Sequence, residues 1–148
     1  MNRSDTARLV HRVREADERR AAQDLGRGLE AERLAREQLE TLRGWRHQYA
    51  NEQQLRMIGG AVSAADLQRQ RQFLAEIDAA IGMQRTVLTE QAGSVARLRA
   101  RWQDQRIDRG AAEQLLDRAV DAERRDRARR EQAESDDWVN QRRPASIC

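Results

Sequence analysis

The stretch Met57-Ile58-Gly59-Gly60-Ala61-Val62-Ser63-Ala64-Ala65-Asp66 interrupts a chain that has no proline before Pro144. Gly59 can adopt the left-handed conformation that ends a helix and satisfies some of its last carbonyls. A first helix should therefore end near residue 58. The interruption predicts a turn at about 58–63, a length typical of antiparallel helical hairpins.

A helix-capping pattern follows the glycines. Ser63 and Asp66 form an S-x-x-D box, in which each side chain can accept a backbone N–H that a helix start leaves unpaired. Val62 and Leu67 are spaced to pack together as a hydrophobic staple. A second helix should therefore begin at about Ala64. The alternative is a flexible glycine kink within one long helix.

The composition indicates a coiled coil. Charged residues make up 36% of the 148, aromatic residues make up 3%, and the mean hydropathy is -0.98, which is too polar for a thick core. Good helix formers dominate and the apolar residues recur periodically, which argues against disorder. We predict an all-α protein, a single elongated antiparallel two-helix coiled-coil hairpin over 1–148. Its parts are arm one at about 5–57, the turn at 58–63, arm two at about 64–137 and a flexible tail at 138–148.

The sequence lacks residues that several classes of catalytic and metal site require. All 28 basic residues are arginine, so no P-loop or Schiff-base lysine exists. His11 and His47 have no cysteine or second histidine at metal-binding spacing, and Cys148 is a lone cysteine. We expect no enzyme activity, no cofactor and no metal. Because neither a long apolar run nor a signal-peptide pattern occurs, we expect a cytosolic protein without direct membrane insertion.

The pI near 10.2 does not indicate a nucleic-acid-binding protein. Arginines and acidic residues number 12 and 10 in residues 1–57, 6 and 5 in 58–105, and 10 and 10 in 106–148. Interspersed charges of both signs are typical of solvated helix faces. We expect no nucleic-acid partner.

A heptad seam, a row of positions spaced three and four apart, runs along arm two. Ten of its fourteen positions are apolar, which predicts a left-handed supercoil against a partner helix. The positions are Leu74, Ile77, Ile81, Gln84, Leu88, Gln91, Val95, Leu98, Trp102, Gln105, Arg109, Ala112, Leu116 and Ala119. The seam of arm one is less regular: it starts at Leu9, Val13 and Ala16, drifts near Gly26 and Gly28, where a bend is predicted, and resumes through Ala35, Leu39, Leu42 and Tyr49.

Two quartets of residues, each spaced four, three and four, mirror one another across the turn. They are Gln38, Leu42, Trp45 and Tyr49 in arm one, and Phe73, Ile77, Ala80 and Gln84 in arm two. Reflection about residue 61 pairs 49 with 73, 45 with 77, 42 with 80 and 38 with 84. The quartets are either part of the coiled-coil core or, since Phe73 and Ala80 lie one position off the seam, a partner-binding patch on its flank.

The same reflection places Leu9 against Glu113, so arm two should extend beyond the start of arm one from about residue 115. This overhang carries a basic block followed by Glu131, Glu134, Asp136 and Asp137. It is either a charged single helix or a docking segment for a partner of complementary charge. The arginines in question are Arg118, Arg124, Arg125, Arg127, Arg129 and Arg130.

Three segments together resemble the FliJ family of the flagellar type III export apparatus, which is related to YscO-type stalk proteins of virulence type III secretion. They are Tyr49-Ala50-Asn51; Gln72-Phe73-Leu74 through Ile77, Ala80 and Ile81; and Leu115-Leu116-Asp117-Arg118 through Glu131-Gln132-Ala133-Glu134-Ser135-Asp136-Asp137. The resemblance covers most of the chain. The chain departs from the pattern of the family at Trp45, which replaces a tyrosine, and at Gln84, which replaces a histidine, and Trp138 has no counterpart in that pattern.

This resemblance implies a non-enzymatic central-stalk component of the export ATPase complex. It implies as partners a hexameric export ATPase (FliI-type), an export gate (FlhA-type) and export chaperones, with the chain cytoplasmic and peripherally associated with the apparatus at the inner membrane. The two quartets match the gate-facing surface, and the terminal arms would face the ATPase ring. Alternatives are a virulence secretion stalk protein and a generic coiled-coil scaffold or dimerisation protein.

Overall fold

The computed structural model describes residues 2–60 and 62–142, which form two α-helices. Helix α1 spans Arg3–Ile58 and helix α2 spans Ala64–Arg142. The two helices pack against each other as a helical hairpin, which confirms the predicted fold class and the position of the turn. A glycine kink within one long helix is thereby excluded.

The left-handed residue in the turn is Gly60, with a φ of 78°, and the prediction that Gly59 would adopt this conformation is wrong. The N–H of Gly59 still bonds to the Leu55 carbonyl at 3.2 Å, so the helical pattern of hydrogen bonds continues through this residue. The N–H of Gly60 then bonds to the Met57 carbonyl, also at 3.2 Å. The helix ends at Ile58 as predicted, and the left-handed conformation, in which glycine avoids a Cβ clash, occurs one residue later than predicted.

The predicted capping box opens α2. The Asp66 N–H donates to Ser63 Oγ at 3.1 Å, and the Ser63 N–H donates to a carboxylate oxygen of Asp66 at 3.3 Å. Hydrogen bonds from Ser63, its side chain first and its backbone N–H second, hold the pKa of Asp66 below its ordinary value. These contacts fix the first turn of α2.

Helix α2 continues to Arg142, beyond the predicted end at about 137. No proline or glycine interrupts the sequence here, and the Arg142 guanidinium lies 4.1 Å from the centre of the Trp138 ring, one turn earlier. The predicted flexible tail at 138–148 is therefore helical from 138 to 142. Its remainder, 143–148, lies outside the described residues.

Contacts divide the chain into two compact units. The turn-proximal unit is Ala21–Trp102, and the terminal unit combines Met1–Arg20 with Gln103–Cys148. In the turn-proximal unit Leu39, Ile77 and Ile81 form a buried cluster, and partly buried Leu42 and Leu88 pack against it.

The heptad seam predicted for α2 coincides with the inner side of each unit. Each of its fourteen positions is buried or half-buried, including the polar Gln84, Gln91, Gln105 and Arg109. A seam that is apolar at most positions thus identified the packed face of the helix correctly.

The seam of α1 is regular, and the predicted drift is wrong. Leu9 and Val13 are exposed, whereas buried and half-buried positions keep the spacing of three and four from residue 4 to residue 53. Polar side chains occupy many of these positions, so a search for periodically spaced apolar residues does not detect this seam. The seam consists of Ser4, Ala7, His11, Arg14, Glu18, Ala21, Leu25, Gly28, Glu32, Ala35, Leu39, Leu42, Arg46, Tyr49 and Gln53.

In the terminal unit the two helices pair further along α2 than predicted. The Ser4 N–H donates to Glu123 Oε1 at 3.1 Å, and Arg109 bonds to Glu18 at 2.9 Å. Reflection about residue 61 would instead place Ser4 against residue 118. The overhang of α2 therefore begins after Glu123 and not at about 115, because the partner of Ser4 lies five residues further along α2 than the reflection predicts, at 123 and not 118.

Candidate functional site

An aromatic pair joins the two helices in the turn-proximal unit. The ring centroids of Tyr49 and Phe73 lie 4.4 Å apart with a tilt of 54° between the ring planes. Such tilted pairs contribute about 0.5–1.5 kcal/mol beyond the burial of their area. Tyr49 is the last residue of the quartet in arm one, and Phe73 is the first residue of the quartet in arm two. The reflection about residue 61 predicted this contact.

A largely apolar groove of about 480 Å³ adjoins this pair. The side chain that exposes the largest aromatic surface in it is Trp45, which is 60% exposed, and Phe73 is 43% exposed. Glutamine and glutamate side chains at 48, 52 and 76 contribute to its lining. The members of the predicted quartets that line this groove are Leu42, Trp45, Tyr49, Phe73, Ile77 and Ala80.

The other two predicted residues line a second groove, which shares Leu42 and Trp45 with the first. Gln84 Nε2 donates to the Ala35 carbonyl at 3.0 Å and to Gln38 Oε1 at 3.1 Å. The predicted contact between positions 38 and 84 is therefore present. The two hydrogen bonds of Gln84 link α2 to α1 beside the second groove.

The structure thus brings all eight residues of the two quartets to one continuous surface, which we call the aromatic patch. The quartets contribute to both the core and its flank: Ile77 is buried in the core, whereas Trp45 and Phe73 are exposed on the flank. Partner binding by the flank stays a prediction. Exposed aromatic side chains at the centre of an apolar groove are typical of energetically important positions in protein interfaces.

The six predicted docking arginines, which we call the arginine segment, are all exposed on α2. Arg118 lies before the last contact with α1, while the other five follow Glu123. Arg129 lies 3.9 Å from Asp126. Within residues 2–60 and 62–142, Arg124, Arg125 and Arg130 have no ion pair, so their guanidinium groups are available to an acidic partner.

A third groove, which the sequence did not predict, lies in the terminal unit and is also largely apolar. It encloses about 460 Å³ and is lined by Asn2, Arg3, Thr6, Ala7, Val10, Ala112, Leu115 and Ala119. It was missed because Leu9 and Val13 were placed in the seam. Ser4, His11 and Glu18 share the spacing of three and four with the rest of the seam. That spacing was the available signal that the packed face of α1 is polar here and that its apolar residues are exposed.

The described part of the chain offers no site for a metal ion or a membrane span. Over residues 2–60 and 62–142, no three histidine, cysteine, aspartate or glutamate side chains gather in a way that could hold a metal ion. Neither helix, over the same residues, has a segment both long and apolar enough to cross a membrane.

Comparison with known proteins identifies the family of the chain. The family model described as the flagellar FliJ protein matches residues 8–144, which include the aromatic patch and the arginine segment. The chain belongs to the FliJ family. No curated protein and no solved structure matches it. As a FliJ-family member it is a flagellar export-related protein, from a family of non-catalytic components of the export apparatus.

Proposed function

We propose that the chain is a non-enzymatic central-stalk component of the flagellar export ATPase complex. In this role it promotes assembly and activity of a hexameric FliI-type ATPase ring, contacts an FlhA-type export gate and handles export chaperones. It acts in the cytoplasm, peripherally associated with the export apparatus at the inner membrane. Membership of the FliJ family supports this role over a generic coiled-coil scaffold, and the flagellar description of the family favours it over a virulence secretion stalk.

The observation that carries the proposal is the convergence of the eight residues in the aromatic patch. Two grooves meet at Leu42 and Trp45, and the Tyr49–Phe73 pair supports one side. A partner side chain inserted beside Trp45 would bury an indole that the chain alone leaves 60% exposed. Burial of such an aromatic anchor is worth several-fold to hundreds-fold in affinity. We assign this surface to the gate.

The charged helix faces are suited to weak, reversible contact with the second proposed partner, the ATPase ring. A single chain inside a ring of six subunits can match the interfaces of only some subunits at a time, so it would bias them toward different nucleotide states. Weak, reversible ion pairs from the arginine segment allow the contact to move from one subunit to the next. A large apolar interface would bind one subunit too tightly for this task.

Substitution of Trp45 tests the gate contact. We expect Trp45→Ala to weaken binding to the cytoplasmic domain of the gate at least about tenfold, measured by calorimetry, because a central aromatic anchor is lost. Trp138→Ala removes a tryptophan of similar exposure, 54%, from the other unit and is the matched control. Equal affinities for the wild type and Trp45→Ala would contradict the assignment of the aromatic patch.

A further inference from the structure

We propose that the terminal unit opens as a cooperative segment of its own. In the open form the helical segments 3–20 and 103–123 separate from each other, while the helices of the turn-proximal unit stay paired. This inference rests on the side chains at the two seams and not on the proposed function.

The apolar core of the terminal unit is small. Among its described residues, 2–20 and 103–142, Ala112 is the one buried apolar residue, and the seam position Ser4 is the most deeply buried side chain. The buried apolar residues of the turn-proximal unit are Ala21, Ala35, Leu39, Ile77, Ile81 and Val95. Since apolar burial is the main stabilising contribution to helix pairing, the terminal unit is held together much more weakly.

Larger apolar side chains of the terminal unit already face solvent in the paired form. Leu9, Val10, Val13, Ile107 and Leu115 are all more than 40% exposed. Between 42% and 69% of each residue is therefore already in contact with water before the helices separate. Opening sacrifices less apolar burial here than it would if these side chains were in the core.

Polar atoms in the seam favour the open form. Within the described residues, His11 Nε2, Gln105 Oε1 and Arg109 Nε are buried without a hydrogen-bond partner. A buried polar atom that lacks a partner destabilises the closed form, and water can satisfy it after opening.

Ion pairs replace apolar contacts between the helices of this unit. Arg109 Nη1 lies 2.9 Å from a carboxylate oxygen of Glu18, whose side chain is only 16% exposed, and Arg14 lies 3.8 Å from Asp108. Hydrogen bonding to Glu18 raises the pKa of Arg109. Water can replace such partners, and apolar residues in their place often stabilise a protein equally or better.

Hydrogen exchange of the full chain, followed by mass spectrometry, tests the inference. We expect the amides of 3–20 and 103–123 to share one protection factor, at least about tenfold below that of segments 35–53 and 70–95. The overhang after residue 123 should exchange faster still. Protection that instead rises gradually from residue 3, with no matching level in 103–123, would indicate simple end fraying and would overturn the proposal.

Substitutions at positions 18 and 109 give the sharper test. Glu18→Leu alone leaves Arg109 unpaired and should speed exchange in both terminal segments, whereas Glu18→Leu with Arg109→Leu should slow it in both, each by about fivefold or more. Glu40→Leu with Arg43→Leu replaces an exposed pair of the same 2.9 Å separation within α1 and is the control. It should leave the terminal segments unchanged. A double variant that speeds exchange, or an effect confined to one helix, would overturn the proposal.

Discussion

Gly28 lies so close to Leu98 that a Cβ atom on Gly28 would be 2.7 Å from Leu98 Cδ1. The absence of a side chain at this α1 seam position leaves room for the end of the Leu98 side chain. The same Cβ would lie 3.6 Å from Val95, an ordinary contact, so Leu98 is the side chain that must move.

Gly28→Ala and Gly26→Ala make the same substitution in the same helix, so a comparison of their free energies of unfolding tests the close approach at position 28. Alanine gains about 1 kcal/mol over glycine in a helix interior, and at position 26 a Cβ would meet nothing within 4 Å, so Gly26→Ala should raise the free energy of unfolding. At position 28 overpacking costs about 1–3 kcal/mol and should cancel or exceed that gain. Urea unfolding followed by circular dichroism measures both. Equal stabilisation by the two substitutions would show that the close approach does not exist in solution.

The capping box predicts a pH dependence that Asp66→Asn should remove. Because Ser63 holds the pKa of Asp66 below its ordinary value of 3.8, the unfolded chain binds this proton more readily than the folded chain. The stabilising contribution of the carboxylate is therefore complete above the unfolded pKa and is lost as the pH falls through the lower folded value. The difference in unfolding free energy between the wild type and Asp66→Asn should shrink between neutral pH and about pH 2.5. A difference independent of pH would contradict the hydrogen bonds at this cap.

Arginines in the overhang should matter to ATPase binding through their position and not only through their charge. We expect Arg124→Ser, Arg125→Ser and Arg130→Ser together to weaken binding to the cognate ATPase about tenfold at low salt and less at high salt, because screening already weakens these contacts. Three exposed arginines of the turn-proximal unit, Arg71, Arg99 and Arg101, replaced by serine give the same change in net charge. If this control weakens binding equally, the arginine segment is not a specific docking site.

The sequence was sufficient for the features that depend on neighbouring residues or on apolar periodicity. The capping box of Ser63 and Asp66 located the start of α2, and the apolar repeat located its packed face. Reflection about the turn also found the contacts of Tyr49 with Phe73 and of Gln38 with Gln84. These residues lie close enough to the turn that small changes of register have not yet accumulated.

The features that the sequence did not reveal depend on polar side chains at packed positions. His11, Arg14 and Glu18 occupy the seam of α1, while Leu9 and Val13 are exposed, so a search for apolar periodicity selected the wrong face. The register of the terminal unit depends on contacts such as Ser4 with Glu123, which no local pattern encodes. The overhang was therefore placed about two helical turns too early.

The most direct test of the stalk function is the hydrolysis rate of the cognate export ATPase with increasing amounts of the purified chain. We predict that both the rate and the hexameric fraction of the ATPase rise until the chain reaches about one copy per hexamer, because one stalk serves six subunits. The Arg124, Arg125 and Arg130 variant should require a higher concentration for the same effect. No change in hydrolysis or in hexamer formation, even at several-fold excess of the wild-type chain, would contradict the proposed function.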